Sequence, residues 1–223
     1  MREQEESIPE VQVEPSEETQ QTPAVADDVL PDTLHLIPIP FRPFFPGQVQ
    51  PIAINPVEWE STLAAVQSAG HGLIGLSYVD MTGSGGVEPR QFPEIGCAVR
   101  LHRPPHAPEQ SGHFLAQGIK RFRIVRWLSE KPPYLVQVEY PRSQGDRDDD
   151  EIKAYAMALI KQIRELLPLN PLYSEELKQY MANFSPRQPG QLADFSAALT
   201  TATGEQLQEI LDTLPLRSRM EKV

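Results

Sequence analysis

"LIPIPFRPFFPGQVQPIAI", Leu36–Ile54, decides how the chain is read. Both ends are apolar enough for buried strands. The middle carries Pro40, Pro43 and Pro46, with Phe41, Phe44 and Phe45 packed among them. Proline donates no backbone hydrogen bond and interrupts a strand ladder. The stretch therefore predicts two strands, Leu34–Ile39 and Gln48–Ile54, joined by a stiff, oily loop in which Gly47 can relax the backbone.

Outward from this loop, strand signals continue to Pro141. They cover Gly72–Tyr78, Ile95–His102, Gly112–Gly118, Arg121–Ser129 and Tyr134–Tyr140, with alternation plain in "YLVQVEY". One helix interrupts them: Asn55 suits an N-cap, Pro56 the first helical position, Glu58 the first turn, and Gly70 the end. After "PRSQGDRDDD", Pro141–Asp150, the apolar period lengthens. Ile152, Tyr155, Ala156, Leu159, Ile160, Ile163, Leu166 and Leu167 recur at helical spacing up to Pro168. Further helices fit Ser174–Phe184 and Gln191–Thr200, the latter burying Leu192, Phe195 and Leu199. Thr203 and Gln206 form a capping-box pair ahead of Leu207, Ile210 and Leu211, and Pro215 opens a last helix. That helix reads as cut from something longer, with Leu216, Met220 and Val223 as an exposed apolar stripe. Strand and helix periods segregate, which predicts an α+β fold.

Of the net charge of −11, −9 lies in residues 1–33, where ten acids face Arg2 alone. This aromatic-free leader predicts a disordered acidic tail, a binding arm being the alternative. The start "MREQEESIPE" has no apolar h-region, and nothing approaches the roughly 18 apolar residues of a membrane span. Cys97 is the single cysteine, so no disulfide forms within the chain. These features predict a cytoplasmic protein without a membrane partner, and the acidic balance disfavours nucleic acid.

Sites of chemistry are weakly encoded. "GHGLIG", Gly70–Gly75, has dinucleotide-loop spacing, but a helix precedes it and a strand follows, the reverse of the order a pyrophosphate site needs. "GHFLAQGIK" has five residues between its glycines and no Lys-Ser/Thr pair. His102, His106 and His113 sit around Pro104, Pro105 and Pro108, as expected of solvated loop histidines rather than a metal site. No nucleophile elbow or S-x-x-K occurs. "KRFRIVRW" gathers Lys120, Arg121, Arg123 and Arg126 and predicts a strand with one solvated face. No catalytic, cofactor-binding or metal-ligating residue is expected.

The opening stretch, then "EIGCAVRL", "GHFLAQGIKRFRI" and "PPYLVQVEY", resemble in order the signature segments of the Lon substrate-binding domain. "PGQLADFSA" and "LQEILDTLPLRSRMEKV" resemble the helical extension of that N-terminal region, so the resemblance runs from Leu34 to Val223. Pro38, Phe45, Pro46, Gly47 and Pro51 fall on the family's L-P-L-R-x-x-x-x-F-P-G-x-x-x-P motif, and Gly96, Gly118, Arg121 and Ile124 on its two strand motifs. The motif's Arg falls on Pro40, with Arg42 two positions later.

The resemblance implies a barrel-like, pseudo-closed β subdomain of PUA-like type over 34–141, a hinge over 142–150 and a helical bundle over 151–223. It implies a non-catalytic module of an ATP-dependent serine protease that captures unfolded or degron-bearing proteins and helps organise a hexamer. ATP, Mg and a Ser-Lys dyad would belong to absent modules of the same parent chain. Phe45 is assigned to the core, and Phe41, Arg42 and Phe44 are the candidate substrate contacts. The competing arrangement has all three phenyl rings plugging the end of the sheet. The alternatives for function are a stand-alone Lon-domain adaptor and an RNA-binding β module with a basic strand. As an isolated chain the protein is expected to be a monomer or weak dimer.

Overall fold

The proline-rich loop keeps its flanking strands apart: β1 (Thr33–Ile39) and β2 (Val49–Ala53) are not neighbours in the sheet. The computed structural model describes residues 30–81, 86–102, 112–142, 150–166 and 188–223. The leader through residue 29, His106 with its prolines, segment 143–149 and the helix expected over Ser174–Phe184 lie outside them. Pro31–Val223 form one unit, so the strands and the C-terminal helices share a body.

Beyond β2 come α1 (Glu60–Ser68), β3 (Leu73–Tyr78), a 3-10 turn at Pro89–Gln91, β4 (Ile95–His102), β5 (His113–Ser129) and β6 (Leu135–Glu139). β1 runs parallel to β3 and antiparallel to β6. β4 lies antiparallel between β3 and β5, and the far half of β5 pairs β6. Five strands thus close a mixed ring in the order β1-β3-β4-β5-β6, with β2 added on the near half of β5. The Phe122 ring fills the interior. A Cβ on Gly75 would meet both Phe122 and Leu36, and one on Gly96 would overlap Phe122.

Two expectations shift here. Asn55 does not cap α1: its Oδ1 accepts from the Val57 N–H at 3.1 Å, forming a separate turn, and the helix begins at Glu60. The two strands expected at 112–118 and 121–129 are one strand of 17 residues. Gly118 and Lys120 face the adjacent Val99 and Ala98, so Ile119 is absorbed as a bulge instead of breaking the strand. Gly118 is required for a close approach: a Cβ there would overlap the Phe45 carbonyl oxygen. It fastens a loop to the strand and does not end it.

The helices are α2 (Asp150–Leu166), α3 (Pro189–Leu199), α4 (Gly204–Asp212) and α5 (Leu216–Lys222). Ile152, Ala156, Leu159 and Ile163 of α2 form one buried cluster with Leu192, Ala193, Leu216 and Met220. Ile95 and Phe45 of the β portion join Ala197, Leu207, Ile210 and Leu211 in another. The Thr203–Gln206 capping box forms as expected, with the Thr203 N–H donating to Gln206 Oε1 at 3.0 Å. The exposed stripe expected on the last helix does not exist. Leu216 and Met220 are each 3% exposed, because α5 folds back onto α2 and α3 instead of projecting. Leu199, expected inside, is 43% exposed at the last turn of α3.

Candidate functional site

The loop after β1 folds into a tight turn. Phe41 has φ +81°, and the Arg42 N–H donates to Pro40 O at 3.1 Å, the two-residue closure of a γ-turn. A positive φ at an aromatic residue is strained and persists only where the surroundings over-determine it. Two such surroundings are present. The Phe41 carbonyl abuts α4, where a Cβ on Gly204 would stand 2.5 Å from its oxygen. Arg42 Nη2 donates to Ala198 O at 3.2 Å and Thr200 O at 2.8 Å, capping the C-terminus of α3. That helix has no basic residue in its own last turn, so Arg42 supplies the cation its carbonyl end favours.

The Phe41 ring is 85% exposed. Phe44 is not: at 2% exposure it contradicts the expected surface position. After the γ-turn the chain doubles back onto β5, where the Gly47 N–H donates to Gly118 O at 2.9 Å and the Gly118 N–H to Gln48 O at 2.8 Å. That clasp draws Phe44 and Phe45 inward together and leaves one ring outside. The arrangement with all three rings plugged inside is equally excluded. Arg42 stays exposed, but its guanidinium is engaged with α3. Pro38 lies in β1 and Pro51 in β2, while Gly96 and Gly118 make the close approaches described above.

Behind the loop lies the largest departure from the sequence reading. Arg121, placed there on a solvated face, is 5% exposed. Its Nη1 and Nη2 donate to both oxygens of Asp194 on α3 at 2.6 Å, and its Nε donates to Leu211 O at 2.9 Å. Arg219 of α5, fully buried, approaches the same carboxylate, with Nε 3.4 Å from Oδ1. Burial lowers the Arg219 value to about 10, opposed by Asp194 and reinforced by Arg121, so it stays charged at neutral pH. One carboxylate thus bridges a strand and two helices. Phe122 points into the ring, so its neighbour Arg121 must point outward, where α3 and α4 cover the sheet. The signal was present in "PGQLADFSAAL": a lone acid on an apolar helix needs a cationic partner.

Cys97, opposite Arg121 on β4, is fully buried, and desolvation pushes its thiol up to about 12. Arg123 and Arg126 behave as a wet strand face should, with Arg123 Nη1 on Glu139 at 2.9 Å and Arg126 Nε on Gln137 at 2.9 Å, whereas Lys120 is half-buried and pairs opposite Ala98. His102 Nε2 sits 3.1 Å from Gln117 Oε1. Among the described residues no group of three or more His, Cys, Asp or Glu comes together, and no helix is long and apolar enough to cross a membrane.

The fold is thus a closed ring of strands with helices fastened to one side and an outward phenyl ring at their junction. The model of the substrate-binding domain of the ATP-dependent protease La (LON) matches residues 33–223. The chain belongs to that family. Lon protease 2 of Hydrogenovibrio crunogenus is 41% identical over 198 residues, covering 89% of this chain and 22% of that protein. Lon protease 1 of Syntrophotalea carbinolica is 34% identical over 214 residues, covering 93% and 25%. The chain therefore spans about a quarter of the length of these relatives. Among solved structures, the N-terminal domain of the Mycobacterium avium complex Lon protease superposes with a TM-score of 0.65 at 20% identity, covering 85% of this chain and 94% of that one. The Lon N-terminal domain protein of Xanthomonas campestris gives 0.58 at 14% identity. These structural likenesses show a shared fold.

Proposed function

We propose that this chain is the non-catalytic, client-capturing region of a Lon-type ATP-dependent protease, and that Phe41 is its point of grip on exposed apolar segments of unfolded or degron-bearing proteins. The observation that carries the reading is a phenyl ring 85% exposed on a strained turn that two helices hold in place. Burying one such ring removes roughly 150–250 Å² from water. At ~25 cal/mol/Å² this is about 4–6 kcal/mol gross, most of it offset by association and ordering costs. The remaining grip is weak and tolerant of sequence, as suits a module that must release what it catches.

Within this proposal the strand ring is PUA-like and helices α2–α5 form a bundle. The parent protein works in the cytoplasm, and the module helps organise a hexamer. ATP, Mg and the Ser-Lys dyad belong to parts of such a protein outside these 223 residues. The test compares one client in native and denatured forms by fluorescence anisotropy. The denatured form is expected to bind more tightly, and Phe41→Ala to weaken it several-fold while leaving the fold intact. Equal affinity for the two forms, or an unaffected F41A, would remove the proposal.

A further inference from the structure

Phe41 does not stand alone at the surface. Its neighbour Arg42 bonds to the carbonyls of Ala198 and Thr200, and Leu199 between them is 43% exposed at the end of α3. The same guanidinium therefore brings a second exposed apolar side chain to the foot of the turn. The aliphatic stem of Arg42 spans the gap from the turn to that helix.

Two carboxylates flank the turn, one from the sheet and one from the helices. β1 and β3 run parallel with Ile39 beside Tyr78, and the Val79 N–H donates to Ile39 O at 3.1 Å. That register, carried on by two residues, sets Asp80 beside Phe41. From the helices, a Cβ on Gly204 would meet both the Phe41 carbonyl oxygen, at 2.5 Å, and the Tyr78 ring, at 2.6 Å. Glu205 follows Gly204 in the first turn of α4. Consecutive Cα atoms lie about 3.8 Å apart, so the Glu205 backbone starts within roughly 8 Å of the Phe41 carbonyl. Burial, then Asp80 and then Glu205 raise the Tyr78 hydroxyl above its usual value, so both charged groups acting on it are acids.

Asp80 and Glu205 are exposed, and Glu205 enters no ion pair among the described residues. The cation of the turn, Arg42, is directed onto the carbonyl end of α3, whose partial negative charge it offsets. The rim that meets an arriving chain is therefore acidic.

We propose that Phe41 and Leu199 form an apolar seat rimmed by Asp80 and Glu205, and that its occupant is an extended protein segment carrying a large apolar side chain with a lysine or arginine two residues away. This rests on the client-gripping reading of Phe41 and adds to it a preference for basic flanks. Residues i and i+2 of an extended chain project to the same side, about 6.6 Å apart. The apolar side chain and the cation therefore face the surface together, at a step comparable with the spacing between Phe41 and Glu205. The long stem of lysine or arginine covers the remaining distance. An acidic side chain at the same place meets two like charges.

The full 223-residue chain is titrated by fluorescence anisotropy with a labelled nine-residue peptide of serines, bearing Phe at its centre and Lys two residues to either side. The comparison peptide bears Glu for Lys. The lysine peptide is expected to bind about tenfold more tightly at low salt, with the advantage shrinking as salt rises. The chain is net −11, so two variants of equal charge change separate the rim from a general attraction for cations. Glu205→Lys should abolish the preference, and Asp80→Asn should reduce it, each with an unchanged circular dichroism spectrum. Glu165→Lys, on the helix that packs against the other half of α3, should leave it intact. Phe41→Ala should weaken both peptides several-fold. Equal binding of the two peptides overturns the proposal, as does a preference that survives E205K or disappears in E165K. If F41A still weakens both peptides in those cases, the grip stands and only its basic preference falls. If F41A changes neither, the grip falls and the proposal with it. Self-association by light scattering that F41A removes would show a second copy as the occupant, and overturns it too.

Discussion

Asp194 is the residue on which most depends. It is 3% exposed and shared by two guanidinium groups from separate elements. Removing one partner of a buried charge pair leaves the other desolvated and uncompensated, at a cost of about 3–5 kcal/mol. Asp194→Ala, which strands two arginines, should cost at least that much, and Arg121→Met less, because Asp194 keeps Arg219. Urea midpoints at unchanged m-value will rank the two, and the reverse order would refute the shared-carboxylate account. His71 is a milder case. Burial, with His35 nearby, holds its imidazole below the usual 6.5, and its Nδ1 accepts from the Leu73 N–H at 3.1 Å. As pH falls the unfolded chain takes up that proton first. The stabilisation is full above 6.5 and lost as pH drops through the folded value. His71→Gln should therefore flatten the stability profile between about pH 7 and pH 5, measured as unfolding midpoints across that range.

At the scale of elements, the γ-turn and the clasp on β5 act together. Glycine at an ordinary position is less stable than alanine by roughly 0.5–1 kcal/mol. At Phe41, with φ +81°, the order should invert, Phe41→Gly being more stable than Phe41→Ala by about 1 kcal/mol. Thermal midpoints in the ordinary order would show that the turn stores no strain. Strand and helix periods were legible in the sequence wherever the backbone is regular: β4 occupies its expected range, and the capping box stands where Thr203 and Gln206 put it. The misreadings fall where an element meets something distant. Gly118 looked like a strand end because its partner, the Phe45 carbonyl, lies far away in sequence. Arg121 looked solvated because alternation along one strand says nothing of a helix laid across it. Phe44 and Phe41 could not be told apart by composition, since the γ-turn between Pro40 and Arg42 separates them.

For the whole molecule, the ring and the helices are not independent parts joined by a hinge of convenience. Phe45 and Ile95 share a core with Ala197, Leu207 and Ile210, so part of the β portion is covered only by helices. A chain ending at residue 142 would expose that surface and leave Arg121 without its carboxylate. It should aggregate or show the broad, non-cooperative melt of a loosely packed state, whereas a sharp two-state melt would mean the ring folds alone. Phe41 was one of two phenylalanines expected at the surface, and its support was not legible at all, because Arg42 reaches helix carbonyls more than 150 residues further along.

The shared carboxylate also bears on mechanics. A pull applied at α5 loads Arg219 and Asp194 together with the apolar contacts of Leu216 and Met220, and Asp194 passes part of that load to Arg121 on β5. Tension and torque from that end are shared between buried ionic contacts and that apolar cluster. The assembly should respond as a stiff lever, yielding abruptly at one force when those contacts shear.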